Sequence, residues 1–130
     1  MKNELSLLEK GVLEKFLCGD FPEIIRLRLQ IEKCLVVKRE LTGFGFYTTF
    51  SVPGDIPQVS GANAKLGDVV GEIEGLRDGA GFLLYIVNGV IDMLEGYSFD
   101  EPWPLSVDKF QLSYRSGIER DWIALKKSLK

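Results

Sequence analysis

The sequence predicts an α+β fold: an N-terminal helix or helix pair, an antiparallel sheet of four to six strands, and a C-terminal helix packed on that sheet. Three observations carry this expectation. Apolar residues recur at helical spacing near both ends of the chain, and the region between them alternates with a period of two. Asn88-Gly89 also lies between two apolar stretches, and a type I′ hairpin turn needs the positive φ that Asn and Gly tolerate. The 130 residues, 45% apolar and 27% charged, suit one domain spanning 1–130 and exclude disordered, collagen-like and coiled-coil classes.

Leu5, Leu8, Val12 and Phe16, joined by Leu13 and Leu17, form the first helical stripe, with Glu9, Lys10, Glu14 and Lys15 assigned to the solvent side. Asn3 is placed to cap this helix and Gly19 to end it. Asp20, Pro22 and Glu23 read as a second helix entry, and Ile24, Leu27, Ile31 and Leu35 fit a stripe, in a helix that runs to about Lys33. The same stretch alternates, with Ile25, Leu27, Leu29 and Ile31 separated by Arg26, Arg28 and Gln30, so a half-buried strand over 24–33 is the alternative. From Leu35 the β-branched Val36 and Val37 favour a strand, and Gly43 and Gly45 mark a bend. Beyond it Phe44, Phe46, Thr48, Phe50 and Val52 share one face, with Tyr47, Thr49 and Ser51 on the other.

Residues 53–67 hold two prolines and three glycines without periodicity and read as a loop. A three-stranded meander then covers Val69–Leu76, Ala80–Val87 and Val90 to about Phe99. Phe82–Val87 is apolar on both faces and should be central. A two-residue turn at Asn88-Gly89 predicts Ile86 opposite Ile91, Leu84 opposite Met93 and Phe82 opposite Glu95. Phe110, Leu112 and Tyr114 suggest one more short strand. Ser116 and Glu119 have capping-box spacing ahead of a stripe of Ile118, Trp122, Leu125 and Leu129. The central hairpin is too apolar to face water on both sides, so helices must cover at least one face of the sheet.

No histidine is present, which removes Ser-His-Asp and Cys-His catalysis and any imidazole metal site. The net charge of −3 argues against a nucleic-acid binder, and it conceals a segregation. Residues 41–112 carry 3 basic and 10 acidic side chains, whereas residues 113–130 carry 5 and 2. Cys18 and Cys34 form no CxxC pair and sit in apolar patterns, so both read as buried free thiols. Glu4, Glu9 and Lys10 interrupt any signal-peptide core, and the longest apolar run, Phe82–Val87, is far too short to span a bilayer. A cytoplasmic protein without membrane contact is the expectation.

The binding candidates are Glu95, Tyr97, Trp103, Asp92 and Tyr47. The predicted register puts Glu95 on the apolar face, where desolvation would raise its pKa and suit it to acid–base work; solvation at the sheet edge is the competing reading. Asp92, Glu95, Asp100 and Glu101 could gather around a hard cation, but their spacing fits no calcium loop, and an acidic rim is the simpler reading, with no metal and no cofactor. Tyr97, Phe99 and Trp103 form an aromatic group that could anchor a partner or cover a core edge. Arg26, Arg28 and Arg39 could hold an anion or merely face solvent. The glycines match no phosphate motif.

The segment Arg39-Glu40-Leu41-Thr42-Gly43-Phe44-Gly45-Phe46-Tyr47-Thr48 with Phe50 resembles a recurring stretch in small uncharacterised bacterial proteins. So do Gly79-Ala80-Gly81-Phe82-Leu83-Leu84, Asn88-Gly89, Leu94-Glu95-Gly96-Tyr97 and Trp103-Pro104. The resemblance covers about residues 20–105 and implies a bacterial source and a single α+β domain, with no catalytic or binding residue assigned. In size, acidity and layout the chain is also similar to immunity proteins encoded beside bacterial toxins. The expected function is a non-enzymatic protein-interaction module with an acidic surface and a basic protein partner. The alternative is a small-ligand binder or unusual enzyme using Glu95, Tyr97 and Trp103 in a pocket roofed by the 53–67 loop. A homo-oligomer built on an open sheet edge is a further possibility.

Overall fold

The computed structural model describes residues 5–56, 59 and 63–129. Two helices, α1 (Leu7–Phe16) and α2 (Pro22–Lys33), precede β1 (Leu35–Leu41), β2 (Gly45–Ser51), β3 (Ala64–Leu66), β4 (Val69–Ile73), β5 (Ala80–Val87), β6 (Val90–Ser98) and β7 (Phe110–Tyr114). A last helix, α3 (Trp122–Ser128), closes the chain. The fold is α+β, with the helix pair and C-terminal helix expected. The single antiparallel sheet has seven strands rather than four to six. It runs β1-β2-β6-β5-β4-β7, and β3 joins β5 beyond the end of β4. The extra strand is β3, which lies inside the segment read as loop and is only three residues long, too short to show a period.

The α1 stripe is buried as its spacing predicts: Leu8, Val12, Leu13, Phe16 and Leu17 all enter the core. Its N-cap is Ser6, in a complete capping box with Glu9, rather than Asn3, which lies outside the described residues. The helical reading of 24–33 holds, because Pro22 opens α2 and burial follows Ile24, Leu27 and Gln30 at helical spacing.

The side chains of Phe46, Phe50, Val69, Ile73, Phe82, Leu84, Ile86, Ile91 and Leu94 face the helices. Phe44, assigned to the same face, is exposed beyond the start of β2. The Phe46 ring lies over Gly96, where an added Cβ would come within 2.4 Å of it, so glycine is needed there for close packing. Asn88 and Gly89 adopt φ of 53° and 78°, the left-handed pair of a type I′ turn.

Three buried polar side chains tie the helices to the sheet. Glu9, only 2% exposed, accepts from Arg39 Nη2 (2.7 Å) and the Ser6 N–H (2.7 Å) at Oε1, and from Arg39 Nε (2.9 Å) and Thr48 Oγ1 (2.5 Å) at Oε2. Its assignment to the solvent side is therefore overturned. A carboxylate accepting four hydrogen bonds has its lone pairs satisfied, which is what makes its burial tolerable. Gln30 on α2 donates to the Gly89 carbonyl (3.0 Å) and accepts from the Ile91 N–H (2.8 Å), docking that helix on the β5–β6 turn. Arg120, 5% exposed, grips the Asp68 carboxylate (2.6 and 3.1 Å), donates to the Cys18 carbonyl and lies over the rings of Tyr114 and Trp122.

The C-terminal helix begins later than the capping-box spacing predicts. The Ser116 hydroxyl donates to the Glu119 carbonyl instead of capping a helix, Gly117 turns at a φ of +109°, and Asp121 is the actual N-cap, accepting from the Ala124 N–H. Ile118 consequently stands 96% exposed, outside the stripe. Arg120, just ahead of this cap, is turned inward onto Asp68. The thiols also differ from expectation: Cys18 is exposed beyond the end of α1 and Cys34 is half-buried.

Burial disfavours the Glu9 carboxylate, but the hydrogen bonds from Arg39, Thr48 and the Ser6 N–H outweigh it and hold the carboxyl below its ordinary range. A lowered carboxyl contributes stability that is complete above its unfolded pKa of about 4.3 and is lost as pH falls through the lower folded value. Chemical denaturation should therefore show stability falling on acidification below pH ~4, and Glu9→Gln should remove that component. Glu9→Ala, which strands Arg39 and Thr48, is expected to cost about 3 kcal/mol.

Candidate functional site

Among the described residues the three helices pack on one face of the sheet, and the other face is a broad surface built from strand side chains. A bulge determines what that face displays. Pairing of β5 with β6 begins as the turn predicts, with Val87 opposite Val90 and Ile86 opposite Ile91, but then shifts, setting Tyr85 opposite Met93 and Leu84 opposite Leu94. Asp92 is the extra residue, exposed and outside the ladder. One inserted residue moves every later side chain of β6 to the opposite face. Glu95 therefore stands opposite Leu83 rather than Phe82, and it leaves the apolar core for the open face. Its expected place among Phe82, Leu84, Ile86, Ile91 and Met93 is corrected, and the reason is this bulge.

On the open face Glu95 has an aromatic surround. Tyr47 on β2 is its direct cross-strand partner, and Tyr97 follows two residues along β6. Tyr85 of β5 donates its hydroxyl to Glu95 Oε1 at 2.7 Å. Leu83 and Met93 fill the same half-buried surface. Tyr97 lies across Gly81, where a Cβ would meet its ring at 2.4 Å; its hydroxyl accepts from Arg115 Nη2 (2.7 Å), and its ring meets Phe99 edge-on.

Burial first, then the Glu95 carboxylate, pushes the Tyr85 phenol up to about 12. The charge of Glu95 is the main cause of the rise at Tyr47. Phenols this far above neutrality stay protonated and act as donors and contact surface, not as bases.

The structure thus brings Glu95, Tyr47 and Tyr97 together and separates the other two candidates. Trp103 lies on the helix side, packed edge-on against Phe46 at 5.6 Å between centroids. Asp92 projects from the bulge. Tyr85 was missed because a Phe82–Val87 run apolar on both faces hides its outward position. Its alternation with Leu83 is the signal that could have found it.

Asp92, Glu95, Asp100 and Glu101, for which an acidic rim is the simpler reading, do not gather around one point. Glu101 instead accepts the N–H groups of Arg77 and Asp78, both at 2.8 Å, which hold its carboxyl below the ordinary range. Among the described residues no group of three or more acidic or cysteine side chains is arranged to hold a metal. The arginines disperse as well: Arg39 serves Glu9, and Arg28 donates to the Leu17 carbonyl at 2.8 Å and to that of Gly19.

One end of the sheet gathers three loops. Ser98 and Trp103 donate backbone N–H groups to the carbonyls of Phe44 and Gly43, and Glu101 binds the β4–β5 turn. The Glu74 N–H donates to the Lys109 carbonyl there too. Glu74, Asp78, Asp100, Glu101 and Asp108 consequently share a rim with only Arg77 and Lys109 to offset them, beside exposed Phe44, Phe99 and Leu105. A cleft of about 480 Å³ opens next to this end, lined by Glu9, Arg39, Leu41, Phe46, Trp103 and Leu105 among others. Glu95 does not line it, nor the smaller clefts between α1 and α2 and beside α3. Among the described residues no helix is long and apolar enough to cross a membrane.

Glu95→Gln removes the charge that opposes ionisation of its neighbours. The Tyr85 phenol should fall from about 12 toward its ordinary value near 10, and Tyr47 should fall with it, as read by NMR titration of the tyrosine ring carbons. Unchanged tyrosine titration would refute the coupling across this face. Comparison with protein-family models, with curated proteins and with solved structures found nothing that matches this chain.

Proposed function

We propose that this chain is a non-enzymatic protein-interaction module that receives a basic protein partner on the open face of its sheet. The carrying observation is that face itself: Tyr47, Tyr85, Tyr97, Leu83 and Met93 surround Glu95 on a surface that no helix covers. Tyrosine and methionine are favoured at interfaces because they bury much area at modest entropic cost while keeping a polar group available. The acidic rim at one end of the sheet supports the choice of a basic partner, since it would steer such a protein and raise its association rate. The likeness to immunity proteins in size, acidity and layout fits the same reading, as does the expected bacterial, cytoplasmic setting.

Capture from a lysate of the source cell, at low and at high salt, tests this. A basic protein should be retained at low salt, released at high salt, and lost with Met93→Arg on the open face but kept with Glu14→Lys on α1. Absence of any partner at both salts, or retention by Met93→Arg, would overturn it.

A small-ligand reading has its own support, at a cleft that includes Trp103 but neither Glu95 nor Tyr97. The 480 Å³ cleft sets Trp103 and Phe46 beside the Glu9–Arg39 pair, and apolar walls with a few polar groups are the usual make-up of a ligand site. A metabolite screen by thermal shift, with Trp103→Ala as the control that abolishes the response, decides between the two.

A further inference from the structure

We propose that β1 is a self-association edge, pairing antiparallel with β1 of a second copy so that Val37 meets Leu41 and Lys38 meets Glu40 across the junction. The proposal does not depend on the open face. β1 is the outermost strand and pairs only with β2 among the described residues. It nonetheless carries large apolar side chains in water: Val37 is 58% exposed and Leu41 80%, with Leu35 exposed as well. Native sheets normally shorten, cover or charge such an edge, because its backbone groups form a template for another strand. β1 keeps seven residues. Its exposed Lys38 and Glu40 are of opposite sign, so in an antiparallel pair they can attract a second copy instead of repelling it.

The backbone sets which groups are available. The Thr42 N–H donates to the Gly45 carbonyl at 3.0 Å, and the pairing continues with Leu41 opposite Phe46 and Glu40 opposite Tyr47. Hydrogen-bonded and non-bonded pairs alternate along an antiparallel ladder. Residues 42, 40 and 38 therefore turn their N–H and C=O groups toward β2, and Leu41 turns its own outward.

A second β1 can then pair only in registers that differ by two residues. The register centred on Lys38 sets two ammonium groups against each other, and the one centred on Glu40 opposes two carboxylates. The register between them places each Lys38 opposite the other copy's Glu40, twice by two-fold symmetry. It also sets each Val37 opposite the other copy's Leu41. Lys38 and Glu40 occupy the non-hydrogen-bonded positions of this new ladder, where cross-strand side chains approach most closely. Within one chain these two side chains already pair, Nζ to Oε1 at 3.0 Å, with both largely exposed. The bulge between Val36 and Lys38 bends the start of the strand away and limits the ladder to residues 37–41. The two Arg39 residues meet at the two-fold axis of this register, each held by the Glu9 carboxylate of its own chain. The Lys38–Glu40 pairs therefore distinguish this register from its neighbours, while the apolar pair supplies burial.

Sedimentation equilibrium of the full chain, carried to high protein concentration, tests the proposal. A concentration-dependent monomer–dimer equilibrium is expected. Lys38→Glu should weaken it on the order of tenfold by opposing like charges at two symmetric positions, and the double swap Lys38→Glu with Glu40→Lys should restore it. All these side chains are exposed, and recovery in the double variant separates a charge effect from misfolding. A wild-type chain that remains monomeric, a dimer indifferent to Lys38→Glu, or a double swap that fails to recover would each overturn the proposal.

Discussion

The structure turns on one carboxylate. Glu9 is buried on the first turn of α1, where an unpaired charge would be prohibitive, and it is accommodated because four donors converge on it from three elements. Ser6 belongs to its own capping box, Arg39 to β1 and Thr48 to β2. The constraint is directional as well as energetic. A hydrophobic face allows α1 to slide or rotate at modest cost, whereas a bidentate Arg39 and a short Thr48 hydroxyl bond fix one orientation. That orientation places Leu8, Val12 and Phe16 over the sheet and leaves the cleft beside Trp103 open. Whether such a node adds stability over an apolar replacement is a separate matter from whether it specifies the packing; here the geometry argues for specification.

The second constraint is the bulge at Asp92. Without it Glu95 would point into the core against Phe82, where its charge would have no compensating partners. With it, Glu95 joins Tyr47 and Tyr85 on the solvent side, and Gly96 moves into the core beneath the Phe46 ring. One unpaired residue thus settles both a packing requirement and the chemistry of the open face. It also takes the Glu95 carboxylate out of the apolar core and sets it against the Tyr85 hydroxyl on the open face.

Most of the architecture was legible because it rests on period and turn chemistry. The α1 stripe, the Asn88-Gly89 hairpin, the central position of β5 and the short β7 all follow from spacing alone. The failures share a different cause. Glu9, Gln30 and Arg120 are polar residues whose burial depends on partners 30 to 102 positions away, and no local pattern reports a partner at that distance. Ser6 and Glu9 did carry a local sign in their capping-box spacing, which would have moved the cap from Asn3. The bulge left no such sign: Val90–Ser98 reads equally well with or without an extra residue, and the site lay on the wrong face for that reason. Of the candidate residues, Glu95, Tyr47 and Tyr97 proved to be neighbours, while Trp103 and Asp92 belong to other surfaces.

The polar nodes divide the molecule into a fixed side and an adaptable one. Buried polar groups tie each helical region to the sheet: Glu9 and the Tyr114 hydroxyl for α1, Gln30 for α2 and Arg120 at the entry to α3. Removing any of these leaves desolvated groups without partners, so substitution on the helix side carries a folding penalty. The open face has no comparable tie. Its methionine and leucine are half-buried, its central carboxylate is met by the Tyr85 and Tyr47 phenols, and the Tyr97 hydroxyl accepts from exposed Arg115. Side chains there can change without stranding a buried donor or acceptor. A sheet braced in this way from behind leaves the side chains in front free to change without loss of the fold.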